Sequence, residues 1–154
     1  MPATITGFST LSSAATMPVT IVSAEKNCHN HNLSKMVIPA TVNIHLVGTS
    51  IGMNILILGT ILTFTNELPT FAQYSYFGIY FALMQFSTVA VPGGVIFAMI
   101  PLLENQLAFT PEMVGIVSTL VMLFDPVDTS FNVTINALFA IVFANAYKKL
   151  GKLK

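Results

Sequence analysis

The sequence contains no arginine, a single cysteine and little charge of either sign: 8% of its 154 residues are Asp, Glu, Lys or Arg. With its lysines confined to one connector and the C-terminal end, the chain offers no basic patch for nucleic acid. Cys28 alone excludes an internal disulfide. Met1 to Ser9 has neither a basic n-region nor an apolar h-region, so no cleavable signal peptide is visible. No nucleophile–base pair and no nucleotide loop appears, which argues against a soluble enzyme. Apolar sequence is what the chain has in abundance. Hydrophobic residues make up 54% and mean hydropathy is +0.77, the composition of an integral membrane protein.

Against that background one stretch stands out. Phe124 to Asn136 drops two carboxylates, amides and hydroxyls into sequence that is apolar on both sides. Asp125, Asp128, Thr129, Asn132 and Asn136 are spaced so that one helix would carry them as a single polar stripe. An ionisable group at membrane depth costs several kcal/mol unless it faces a cavity or a partner, so the stripe is a site hypothesis. A plain capping role competes with it: Asp125 as N-cap, Pro126 at N1 and Asp128 at N3 would simply start a helix. The apolar run from Met113 to Tyr147 exceeds the ~20 residues of a span. A helix break at Asp125-Pro126 is therefore expected inside the membrane.

The rest of the chain supplies partners for the stripe. Phe8 to Thr20 is rich in small and hydroxylated residues and ends its polar part at Pro18, which fits a tight backbone tip or an ordinary Ser-rich loop. Glu25 to Lys35 holds Cys28, His29, Asn30 and His31; one cysteine and two crowded histidines do not match a structural zinc site, and a solvated connector is expected. Met36 to Phe64 can span even with an unwound middle. In that run His45 reads as a hydrogen-bonded core histidine or, in lipid, as a proton carrier or cation ligand. Asn66-Glu67-Leu68-Pro69 is a turn. Tyr74 to Leu103 is cut at Val91-Pro92-Gly93-Gly94, and the arm that follows is too short to cross, so a re-entrant hairpin is expected. Asn132-Val133-Thr134 matches a glycosylation sequon that membrane depth would make idle.

Lys26, Lys35, Lys148, Lys149, Lys152 and Lys154 mark the connector and the C-terminal end as cytoplasmic, while Glu67, Glu104 and Glu112 lie in loops on the opposite side. An integral, multi-pass protein with a cytoplasmic C-terminus is expected, and its localisation is taken to be the plasma (inner) membrane.

Ser12-Ser13-Ala14-Ala15-Thr16-Met17-Pro18-Val19-Thr20, Val91-Pro92-Gly93 and Asp125 through Asn136 resemble, in order and spacing, the two re-entrant hairpin tips and the last helix of the dicarboxylate/amino acid:cation symporter family, the glutamate transporter homologues. The resemblance implies an all-α membrane fold of re-entrant helical hairpins plus broken transmembrane helices, a transport core truncated of the family's N-terminal scaffold. It divides the chain into a first hairpin and connector (1–31), a broken helix (33–65), a second hairpin (70–106) and the last helix (111–148). It implies a secondary active symporter, not an enzyme, for a small amino-acid or carboxylate-like solute, with Na+ or H+ as coupling ion and no cofactor. Its partners would be the bilayer, the solute, and a scaffold half or a homo-oligomer such as the family's trimer.

Residue by residue, the resemblance places substrate contacts at Ser12, Ser13, Thr49, Val91, Pro92, Gly93, Asp125, Asp128, Thr129 and Asn132. Cation or proton coupling falls to Asn43, His45, Thr88, Asn132 and Asn136. The departures carry chemistry. His45 and Val47 stand where the family has the Asn and Asp of its broken-helix motif, Asn136 replaces an acidic sodium-site residue, and Asp128 replaces an Arg that grips acidic substrates. Leu11 stands where some members carry an Arg. Hard cations need carboxylate ligands to offset dehydration, so sodium coupling is expected to be altered. A carboxylate substrate needs Arg or Lys, whereas Asp125 with Asp128 would suit an amine or a shared proton. Inactivity of the chain alone is expected, and a non-transporting remnant and one subunit of a split transporter are the alternatives.

Overall fold

The structure, a computed structural model, describes residues 2–27, 31–149 and 151. Cys28, His29 and Asn30 of the connector, and Lys152 and Lys154, lie outside those residues. Every element among the described residues is helical: α1 (Pro2–Thr10), α2 (Ser13–Glu25), α3 (His31–Thr41), α4 (Val47–Thr65), α5 (Phe71–Ser87), α6 (Gly94–Leu107) and α7 (Pro111–Lys149).

The helix ends follow local chemistry. Ser12 turns the chain between α1 and α2 and accepts the Ala15 N–H at 3.1 Å, a side-chain N-cap. Asn66 ends α4 in the left-handed region (φ 56°), which Asn tolerates better than most residues. Thr70 caps α5 by accepting the Gln73 N–H, and Thr110 does the same for α7 through Met113, with Pro111 and Glu112 in the first turn. Lys148 and Lys149 sit at the negative end of α7.

α1–α2 and α5–α6 are two helical hairpins, and α3 and α4 are two helices separated by the stretch 42–46. All are arranged around α7, which packs against α1, α2, α3, α4 and α6. The apolar packing divides into two ends. At one, Met53, Ile57, Phe77, Ile96, Met99, Leu103 and Val117 from α4, α5, α6 and the first half of α7 are completely buried. At the other, Ala24 of α2, Ile38 of α3 and Ala140 of α7 pack together, and the Thr16 and Thr20 hydroxyls of α2 donate back to Ser12 O and Thr16 O. Small side chains let helices approach closely, which is the main source of association where lipid removes the hydrophobic drive. Between the two ends lies a polar belt.

The break expected at Asp125-Pro126 is absent: α7 is helical from Pro111 through Pro126 to Lys149. Proline removes one backbone donor, the one that would reach Met122 O, at a cost of about 3 kcal/mol. Five helices packed along α7 outweigh that local preference. At ~1.5 Å per residue its 39 residues extend about 58 Å, well beyond a hydrocarbon core of about 30 Å. α4 and α7 are both long and apolar enough to cross a membrane. The outer surface agrees, since Ile5, Phe8, Ile55, Phe71, Phe97 and Leu123 are all exposed and call for lipid or protein cover.

Candidate functional site

The polar belt is built where four pieces of chain end or bend at one level: the α1–α2 tip, the α3–α4 break, the α5–α6 tip and the middle of α7. Backbone groups left free at such ends must find partners, and here they find each other. Ala90, in the α5–α6 tip, is the meeting point. Its carbonyl accepts the Ser12 hydroxyl at 2.9 Å and the Ala14 N–H at 3.5 Å, so the two hairpin tips touch directly. Its N–H donates to Asn43 Oδ1 at 3.2 Å, which ties the same residue to the α3–α4 break.

Gly93 opens α6 at φ +68°, a conformation suited to glycine, and donates its N–H to Asp125 Oδ2 on α7 at 3.2 Å. The other Asp125 oxygen accepts the Thr129 hydroxyl at 3.4 Å. Asp125 thus receives the N-terminus of a helix from another part of the chain rather than capping its own.

α4 is started in the same way. Its N-cap Leu46 has no side-chain acceptor, and Asn132 of α7 supplies one: Oδ1 accepts the N–H of Gly48 at 2.7 Å and of Thr49 at 3.3 Å. Asn132 Nδ2 donates to Thr49 Oγ1 at 2.8 Å.

Between these ends lies a cavity of about 20 Å³. Ser13, Thr49, Asp125, Thr129 and Asn132 supply its polar lining, with Leu11, Leu46, Ala90, Val91 and Val95 closing the rest. A single water needs ~10–15 Å³, so the cavity has room for a water-sized occupant, and an organic solute enters only if a tip withdraws. The α5–α6 hairpin is the looser of the two. Among the described residues, no Cα of α5 lies within 8 Å of one in α4 or α7. Side chains bridge the gap instead: Tyr74 donates to Asn54 at 2.6 Å and Ser50 to Gln85 at 3.0 Å.

Several residues singled out from sequence lie apart from this cavity. Ser12 and Asn43 hold the tip, and Gly93 reaches it only through Asp125. Pro92 is exposed. Thr88 donates to Gln85 O and so finishes α5. His45 lies against Phe139, ring centroids 4.9 Å apart, with Nδ1 unpartnered. Asn136 is buried and accepts the Thr41 hydroxyl at 2.6 Å. Asp128 lines a different cavity, with Gly48 and Gly52 of α4. The two aspartates expected to share one pocket therefore occupy two.

Ala90, Leu46, Val95 and Thr41 were not anticipated. Ala90 acts through its backbone, which leaves no side-chain signal to read. Thr41 could have been found as the hydroxyl closing α3, just before the break.

The sequence pattern of the sodium:dicarboxylate symporter family matches residues 1–146. No curated protein and no solved structure matches the chain. The match runs from the first hairpin through both tips and the α3–α4 break to the end of the polar stripe, taking in every group that closes the central cavity, and by it the chain belongs to the sodium:dicarboxylate symporter family, a family of transporters rather than enzymes.

Proposed function

We propose that the chain is the solute- and cation-binding core of a secondary active symporter of the inner membrane, and that its solute is a small amino-acid-like compound whose ammonium meets Asp125. One observation carries the proposal. The Gly93 N–H to Asp125 bond, at 3.2 Å, joins the looser hairpin to α7 beside a polar cavity too small for an organic solute. An ammonium arriving at Asp125 competes for that carboxylate, so binding and tip movement are coupled through one group. Asp125 in the cavity, with no arginine anywhere in the chain, favours a neutral or cationic amino acid over a dicarboxylate.

The two hairpins are read as re-entrant, entering from opposite faces, with Ser13, Thr49, Val91, Thr129 and Asn132 positioning the solute and Na+ or H+ as coupling ion. By itself the core binds without transporting, because movement across the membrane needs a fixed protein frame against its exposed apolar faces.

The test separates binding from transport. Thermal shifts of the purified chain with alanine, serine and lysine, against glutamate and succinate, are expected to show saturable effects for the first group only, abolished in Asp125→Ala. Saturation by glutamate or succinate would overturn the substrate class. Gradient-driven uptake into liposomes holding only this chain, under sodium or proton gradients, would overturn its dependence on a frame.

A further inference from the structure

The second aspartate of the stripe opens into a cavity that the central site does not use. Between α4 and α7 lies a groove of about 350 Å³, lined with apolar side chains and a single carboxylate, Asp128. Its size falls at the lower end of ligand pockets, ~300–1,000 Å³. Asp128 is only 7% exposed, and its carboxylate accepts no hydrogen bond and forms no ion pair with any described residue. The described lysines lie at the ends of α2 and α7 and in α3, outside the lining of the groove.

Two glycines create this geometry. A Cβ on Gly52 would land against the Asp128 carboxylate, 2.9 Å from Cγ, and one on Gly48 would run into Phe131, 2.8 Å from its Cβ. Their absence of side chains lets α4 approach α7 with the carboxylate against the Gly52 backbone, on the wall of the groove. The rim is apolar and exposed, with Ile51, Ile55 and Phe131 each more than half accessible. A buried carboxylate is retained at membrane depth only with a proton or a cation to neutralise it, and an apolar rim selects what can bring the cation.

We infer that the α4–α7 groove is a binding site for an organic ammonium with an apolar body, its nitrogen on Asp128 and its hydrocarbon on Ile51, Ile55, Phe124 and Phe131. The site is distinct from the central cavity, with which it shares no lining residue, and does not rest on the transport reading. A primary ammonium supplies three donors to a carboxylate that has none, and the body replaces lipid on an apolar wall.

The experiment is equilibrium dialysis of radiolabelled 2-phenylethylamine against the purified chain in nanodiscs of zwitterionic lipid, with 2-phenylethanol and 3-phenylpropionate as neutral and anionic counterparts. Saturable binding of the amine is expected, with the alcohol and the acid at least tenfold weaker, as loss of a charge-assisted contact implies. Asp128→Asn, which keeps the side-chain shape, is expected to weaken the amine at least tenfold without affecting the alcohol. Ile51→Trp, which fills the groove from its exposed rim, is expected to abolish binding. Equal binding of amine and alcohol, or no saturable amine binding to the wild-type chain, would overturn the inference. Loss in Asp125→Asn with retention in Asp128→Asn would place the amine in the central cavity, overturning this site while supporting the proposed solute chemistry.

Discussion

Asn132 and Thr49 hold each other in both directions: Asn132 Oδ1 accepts the Thr49 N–H at 3.3 Å, and Asn132 Nδ2 donates to the Thr49 hydroxyl at 2.8 Å. Both residues are buried. A helix that begins inside the protein leaves N–H groups that water cannot reach, and α4 has those groups answered from α7 rather than from its own N-cap. The broken helix and the polar stripe are therefore one construction.

Removing that link should be costly. Asn132→Ala is expected to destabilise the protein by about 2–3 kcal/mol, because the N–H groups of Gly48 and Thr49 lose their acceptor in a buried setting. Asn132→Asp keeps the acceptor but loses the donor and buries an added carboxylate, so it should be destabilising as well. Unfolding in detergent, followed by circular dichroism, would show both losses; equal stability of wild type and Asn132→Ala would sink the assignment.

The Ala90 junction predicts a local effect. Asn43→Ala removes the acceptor of the Ala90 N–H. Hydrogen exchange at that amide should accelerate about two- to thirteenfold, the range implied by a net hydrogen bond of ~0.5–1.5 kcal/mol. The α4 amides beyond its first turn should be unchanged. Unaltered protection at Ala90 would mean that Asn43 does not hold the tip.

Two glycines of α4 should respond oppositely to alanine. At Gly48 the new methyl would meet Phe131 and the Asp128 backbone, forcing α4 from α7, and a loss of about 1–3 kcal/mol is expected. Gly59 has open space around it, so Gly59→Ala should be neutral or stabilising by up to about 1 kcal/mol. Thermal midpoints of the two variants measured side by side settle the comparison. A destabilised Gly59→Ala with a neutral Gly48→Ala would contradict the α4–α7 packing.

Orientation is testable through the lysines. Lys149→Cys should react with an impermeant maleimide only from the cytoplasmic side, since the basic residues cluster at the connector and the end of α7. Labelling of intact cells from outside would reverse the topology.

Much of the class of this protein was already set by composition, because a bilayer admits only backbone that satisfies itself, and an apolar chain with so few charges has helices as its main solution. The turns at Ser12 and at Asn66 to Pro69 were legible for a local reason: capping hydroxyls, amides that tolerate the left-handed region and proline act within a few residues. The polar stripe was legible too, as residues at helical spacing along α7. Its division was not. Asp125 and Asp128 are one turn apart in sequence, yet α4 lies across α7 so that Leu46 and Thr49 face the cavity of one aspartate while Gly48 and Gly52 face that of the other. Pro126 misled for the same reason: helix breaking is a local cost, and packing against five helices outweighs it. The role of Ala90 could not be read at all. Its contacts are made by a backbone N–H and C=O that every residue except proline carries, and only the meeting of two tips and a helix break gives those groups their partners.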